Sequence, residues 1–154
     1  MINVKKFLKK YGFLIFCLIS SLLVLSLTIY RAFNTCLTYD EAYTYLHYAK
    51  NFSWKSFSYL IKPGALANNH FLNSLIIAIL DRIFGCSYNE FIIRLPNILS
   101  YILYLFFGYK ISKQYESKYL IMSLFLFNYG AHEFFGLARG YGMAAALVLG
   151  GMYF

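Results

Sequence analysis

Acidic side chains are scarce in this chain: six Asp and Glu among 154 residues, against 14 Lys and Arg. Charge of either sign makes up 13% of it, where a soluble domain carries roughly 25%. With 60% of residues hydrophobic and 21% aromatic, there is too little polar surface to cover a water-soluble fold of this length. Cysteine is sparse too. Cys17, Cys36 and Cys86 have neither metal-site spacing nor redox-pair spacing, although Cys36 and Cys86 could meet outside a membrane. The net charge of +8 does not indicate a nucleic-acid partner, because of where the charge sits. Lys5, Lys6, Lys9 and Lys10 flank the first apolar run, and Lys110, Lys113 and Lys118 lie between two later ones. Cytoplasmic loops of membrane proteins carry such clusters, since positive charge sets insertion topology.

What is present is a series of apolar runs. Phe13–Tyr30 is uncharged and long enough to span. A cleaved signal peptide is the rival reading, but the run is long for one and no clean small-x-small site follows. An uncleaved helix at 13–30, with its N-terminus cytoplasmic, makes 31–94 an outer loop. Within that loop Tyr39, Ala42, Tyr43, Leu46 and Ala49 recur at helical spacing, so Tyr39–Lys50 is expected as an interfacial helix. Phe71–Phe84 is apolar but short, and it contains Asp81 and Arg82. A charged residue at mid-membrane costs roughly 2.5–3.5 kcal/mol, so a membrane-edge helix is expected there. A second span is expected over 95–111, beginning at Pro96, a residue tolerated in a first helical turn. A third is expected over 119–135, and the start of a fourth over 140–154. This count leaves every Lys cluster inside; making Phe71–Phe84 a span would put Lys110, Lys113 and Lys118 outside. The expected fold class is thus an all-α polytopic membrane protein: three transmembrane helices, the start of a fourth, and interfacial helices in a long first outer loop. The last apolar run ends without a polar flank, which suggests the N-terminal part of a longer polypeptide.

Three constellations could carry chemistry. In Thr38-Tyr39-Asp40-Glu41, Thr38 and Glu41 can form a capping box while Asp40 complements the helix dipole. Alternatively, two carboxylates held at the outer membrane surface could take a proton from a hydroxyl or hold a divalent cation. In Asn68-Asn69-His70-Phe71, Asn69 suits an N-cap, or else Asn69 and His70 line a polar pocket at the bilayer edge. In the third, Glu133 near a span's outer end requires a partner. A Glu133–Arg139 pair is the structural reading. In the other, Arg139 binds phosphate where Gly140 and Gly142 let the backbone approach. Arg94 is either a second phosphate contact or a snorkelling anchor. Asn51-Phe52-Ser53 matches a glycosylation sequon, which matters only in a eukaryotic secretory compartment.

These stretches, taken in order, resemble a known group. Leu37-Thr38-Tyr39-Asp40-Glu41-Ala42-Tyr43 follows one span, and Asn68-Asn69-His70-Phe71-Leu72-Asn73-Ser74-Leu75 comes next. Phe84-Gly85, Arg94-Leu95-Pro96-Asn97 and Ala138-Arg139-Gly140-Tyr141 complete the series. It resembles the N-terminal part of the C-type-fold membrane glycosyltransferases, in the protein O-mannosyltransferase and aminoarabinose transferase superfamily. The resemblance implies a polyprenyl-phosphate-linked sugar as donor and a lipid, glycan or protein acceptor at the extracytoplasmic face of the cell membrane. It implies Asp40 as catalytic base, with Glu41 assisting in acceptor or metal binding. Asn69, His70, Arg94, Glu133 and Arg139 would bind substrate. Where relatives carry a His-Pro-Pro or Lys-Pro-Pro stretch, this chain lacks the prolines. No cofactor is assigned; a divalent cation is the one candidate, with Asp40 and Glu41 as its ligands. The piece alone is expected to be inactive. A different class of reading, a non-catalytic membrane protein or transporter fragment, would make the Asp-Glu pair a helix cap only.

Overall fold

A computed structural model describes residues 4–50, 52–53, 70–85 and 89–154, and every structural statement below concerns these residues. Helix α1 covers Val4–Asn34 and α2 covers Tyr39–Thr44, which continues as a π-helical turn over Tyr45–Ala49. Then follow α3 (Phe71–Phe84), α4 (Glu90–Ser112), α5 (Lys118–Leu126), α6 (Tyr129–Phe135) and α7 (Tyr141–Tyr153). No strand occurs among the described residues. Two helices, α1 from Lys6 onward and α4, are long and apolar enough to cross a membrane.

The exposed surface of α1 is what water would penalise. Leu18, Ile19, Leu22, Leu23 and Leu27 are each more than half exposed, an apolar face of the kind that lipid covers. From Tyr11 to Tyr30 the helix carries no charge. At 1.5 Å per residue that stretch is about 30 Å long, the thickness of a bilayer's hydrocarbon core.

Helix α4 is the hub, packing on α1, α3, α5, α6 and most extensively α7. It runs antiparallel to α1. Phe13 near the start of α1 stacks on Tyr109 near the end of α4, with ring centroids 5.7 Å apart. At the other end Arg94, early in α4, reaches the Ala32 carbonyl late in α1 at 2.9 Å. One core gathers Phe13, Cys17, Tyr101, Tyr104, Met122 and Phe135 between α1 and α4–α7. A second, smaller core joins Tyr45, Ala49 and Phe52 to Ile77 and Ala78 of α3 and Ile93 of α4.

Several boundaries differ from the sequence expectation. Helix α4 begins at Glu90, ahead of the expected 95, because the Asn89 side chain accepts from Phe91 N (3.1 Å) and Ile92 N (3.3 Å) and caps it. Pro96 therefore lies inside the helix. The expected span at 119–135 is two helices. Asn128 caps α6 by accepting from Ala131 N at 3.2 Å. His132 Nε2 meets the carbonyl of Leu126, at the end of α5, at 2.5 Å. Nine residues of α5 reach about 14 Å, short of a crossing.

The Tyr39–Lys50 helix forms, but Lys50 N bonds to Tyr45 O five residues back. The buried residues are Glu41, Thr44, Tyr45 and Ala49, while Tyr39, expected on the apolar face, is 80% exposed. Helix α3 has the expected limits and ends at Gly85, whose φ of +60° only glycine adopts without strain. Its charges are partnered from the π turn side. Tyr45 Oη donates to Asp81 at 2.7 Å, and Arg82 donates to the Phe52 carbonyl and lies over the Phe52 ring. His70, not Asn69, occupies the cap position of α3, without a side-chain cap bond. Asn69, Cys86, Asn51 and the Pro63-Gly64 pair lie outside the described residues.

Candidate functional site

Asp40 and Glu41 are neighbours in α2, and the helix sends them in different directions. Thr38 Oγ1 accepts from Glu41 N (3.4 Å) and Thr38 N donates to Glu41 Oε2 (2.8 Å), so the capping box is present. That box draws Glu41 inward onto Arg94, whose Nε and Nη2 donate to its two oxygens at 2.8 and 2.9 Å. Ala138 N adds a fourth donor at 2.7 Å. Arg94 spends its remaining N–H groups on the carbonyls of Ala32, Thr35 and Cys36 at 2.7–3.0 Å, the last turn of α1 and the residues just beyond it. Both side chains of the pair are 0% exposed. Burial alone would raise the Glu41 carboxyl, but the guanidinium and the Ala138 and Thr38 amides outweigh it and hold the group below its usual value.

Two expectations change here. Arg94 is not at an open mouth where it could meet a phosphate: every nitrogen of its guanidinium is bound within the fold. Glu41 is not presented to an acceptor or a metal, since both its oxygens are occupied. The structural alternative for this residue, the capping box, is the one its geometry follows.

Asp40 faces the other way. Its Oδ2 lies 2.5 Å from Arg139 Nη2, and both side chains are partly exposed, at 26% and 34%. These two residues, with Thr44, His70 and Tyr141, line a narrow cleft of about 10 Å³, space for about one water molecule. The His70 and Tyr141 rings meet edge-on, 4.3 Å between centroids. Burial, then the charge of Arg139, lowers the His70 value and favours its neutral form. Arg139 Nε is buried and has no hydrogen-bond partner among the described residues.

The strand of chain that carries Arg139 is held from both sides. Glu41 receives the Ala138 N–H, and Asn73 Nδ2 donates to the Ala138 carbonyl at 3.0 Å. Asn97 Nδ2 donates to Asn73 Oδ1 at 3.0 Å and its own Oδ1 accepts from Met143 N at 3.3 Å. Gly140 lies against His70 so closely that a Cβ there would overlap the imidazole. The buried Glu41–Arg94 pair and the two asparagines thus position Arg139 over Asp40.

Glu133 goes elsewhere. It pairs with Arg31, Oε1 to Nη1 at 2.7 Å and Oε2 to Nη2 at 3.0 Å, and not with Arg139. The break at Phe127-Asn128 turns α6 so that Glu133 faces the end of α1, while Arg139, past Gly136, reaches α2. The Arg31–Glu133 pair borders a separate cavity of about 230 Å³ with Thr35, Cys36 and Thr38. Of the residues expected in one site, Asp40, His70 and Arg139 are together. Glu41 and Arg94 lie behind them as support, and Glu133 stands apart. Thr44, Tyr141, Asn73 and Asn97 carried no assigned role. Buried amides in otherwise apolar helices are the signal that marks the two asparagines. No group of three or more His, Cys, Asp or Glu side chains converges as a metal site among the described residues.

The cleft offers a carboxylate, a guanidinium, an imidazole and a phenol from three stretches of chain. Such a set can take a proton, hold an anion and hydrogen-bond hydroxyl groups. Compared with protein-family models, curated proteins and solved structures, the chain finds no match.

Proposed function

We propose that the chain is part of a membrane-embedded glycosyltransferase that moves a sugar from a polyprenyl-phosphate donor to an acceptor hydroxyl at the extracytoplasmic face. The observation that carries the reading is the cleft: Asp40, His70 and Arg139, singled out separately in the sequence, line one opening. Its position supports the same reading. The cleft lies beyond the C-terminal end of α1, and Lys6, Lys9 and Lys10 mark the other end of that helix. With the lysines cytoplasmic, the cleft is extracytoplasmic. In this proposal α1 and α4 cross the membrane, the α5–α6 pair together makes a third, broken crossing, and α7 begins a fourth.

Asp40 acts as the base. It accepts the proton of the acceptor hydroxyl as that oxygen bonds to the anomeric carbon and the carbon–oxygen bond to the polyprenyl phosphate breaks, with inversion. Arg139, paired with Asp40 before substrate enters, shifts toward the donor phosphate, and its unpartnered Nε gives it a second donor for the purpose. Neutral His70 hydrogen-bonds a sugar hydroxyl. Glu41 and Arg94 position the cleft and touch no substrate. No metal ion is assigned, since Glu41, the second carboxylate expected to ligate one, has both oxygens bound by Arg94, Thr38 and Ala138.

The test is Asp40→Asn in the protein expressed from its native gene, with sugar transfer and membrane insertion measured side by side. A general base contributes roughly 10²–10⁴-fold, so transfer should fall at least a hundredfold while insertion is unchanged. Undiminished transfer removes Asp40 from the chemistry. The burial of the Glu41–Arg94 pair is the observation that favours the second reading, a non-catalytic membrane protein whose acidic pair is a helix cap. Substrate flux through reconstituted vesicles without sugar transfer would select it.

A further inference from the structure

A larger cavity than the polar cleft lies elsewhere among the described residues. It is an apolar groove of about 410 Å³ between α1 and α4, lined by Leu14, Leu18 and Leu22 on one side and Ile102, Phe106 and Tyr109 on the other. Leu14, Leu18 and Leu22 repeat every fourth residue, and Ile102, Phe106 and Tyr109 recur at four and three, so each row is a ridge along its helix. The groove follows α1 from Leu14 to Leu25. That is about 16 Å, close to half of a bilayer's hydrocarbon core.

One end of the groove is ringed with positive charge. Lys10 precedes Leu14 by one turn, and Lys110 follows Tyr109. Lys118 Nζ sits 5.3 Å over the Phe13 ring, bringing the start of α5 to the same end, and Lys110 Nζ lies 5.5 Å over Phe106, a groove residue. Lys9, Lys10 and Lys113 are exposed, and no ion pair engages any of these lysines among the described residues. Glu116 is the only acid in the loop between α4 and α5.

We propose that this groove is a binding site for one anionic phospholipid of the cytoplasmic leaflet, its acyl chain between α1 and α4 and its headgroup phosphate among Lys10, Lys110, Lys113 and Lys118. Two features select this occupant. The groove is one leaflet deep, and its charged end has the sign that attracts anionic headgroups. The polyprenyl donor is the wrong occupant, since its phosphate would have to lie at the Asp40 cleft, at the opposite end of α1. The site rests on the membrane reading and is independent of sugar transfer.

The experiment reconstitutes the 154-residue chain in vesicles of equal parts phosphatidylcholine and phosphatidylglycerol. The protein is then extracted in mild detergent, and the lipids it retains are counted by native mass spectrometry. Each lysine near an anionic surface contributes about a fivefold preference. Phosphatidylglycerol should therefore be retained at least about tenfold over phosphatidylcholine at low salt. The triple variant Lys110→Gln, Lys113→Gln, Lys118→Gln should bring that ratio near one while a lipid is still retained. Filling the groove with Leu18→Trp and Ile102→Trp should abolish retention. Equal retention of the two lipids by the unaltered chain overturns the proposal, as does undiminished retention after the groove is filled. A disulfide between two copies of a Leu18→Cys variant in the vesicle also overturns it, because a second helix would then cover the groove. Resistance to alkaline extraction is scored for every variant. If the unaltered chain is extracted, the membrane reading itself fails.

Discussion

Removing Arg94 should be the most damaging single change in the molecule. Arg94→Met keeps an unbranched apolar stem, shorter than arginine, and deletes the donors. Glu41 would then be a carboxylate with 0% side-chain exposure, retaining only the Thr38 and Ala138 amides. The carbonyls of Ala32, Thr35 and Cys36 would lose their donors in the same step. Breaking a buried ion pair from one side costs about 3–5 kcal/mol. For a protein of this size that lowers the midpoint of thermal unfolding by roughly 6–20 °C. The assay is thermal unfolding in mild detergent, followed by loss of helical circular dichroism. Arg94→Lys should recover only part of the loss, because an ammonium cannot bridge both Glu41 oxygens and the α1 carbonyls together. Glu41→Gln keeps an acceptor for Ala138 N–H and removes the charge. The double variant Glu41→Gln, Arg94→Met should therefore be less unstable than the two single losses added, by 1 kcal/mol or more. Acid supplies an independent reading of the same pair. The folded-state Glu41 value lies below the ordinary one near 4.5, so its contribution is complete above that pH and is lost as pH falls through the folded value. Glu41→Gln should flatten that acid limb. A midpoint for Arg94→Met within about 2 °C of the unaltered protein, or strict additivity in the double variant, would refute the reasoning.

Gly140→Ala should push the added methyl into the His70 ring, costing about 1–3 kcal/mol as other overpacked sites do; an unchanged unfolding midpoint would show that the two segments are not in contact. His70 has a lowered value, so the unfolded chain takes up a proton before the folded one does. Stability should decline as pH drops below 6.5, and His70→Gln should remove that part of the decline. Asn73→Ala leaves the Ala138 carbonyl and Asn97 Nδ2 without their present partners, and should lower stability by about 1–3 kcal/mol per unsatisfied group. A cysteine placed at Ser117 should resist a membrane-impermeant thiol reagent in intact cells; ready labelling from outside would reverse the proposed orientation.

The sequence alone showed long apolar helices and the limits of one shorter one. Apolar runs without charge, lysines at their ends and the limits of Phe71–Phe84 were legible because they depend on local composition and period. The capping box at Thr38 and Glu41 was legible for the same reason, since its partners are three residues apart. What could not be read locally was pairing. Glu133 and Arg139 are six residues apart and look like partners, yet each finds an opposite charge about a hundred residues away in sequence, Arg31 and Asp40. The helix break at Phe127-Asn128 decides this, and it depends on one asparagine side chain choosing a backbone amide. Arg94 shows the same limit. From sequence it is a basic residue near a helix start, at home in a headgroup region. Only the convergence of α1, α2 and α4 turns it into a buried clamp, because a guanidinium can satisfy three carbonyls and a carboxylate at once. The tertiary structure therefore buried Glu41 and Arg94 against each other and left Asp40, His70 and Arg139 lining one cleft.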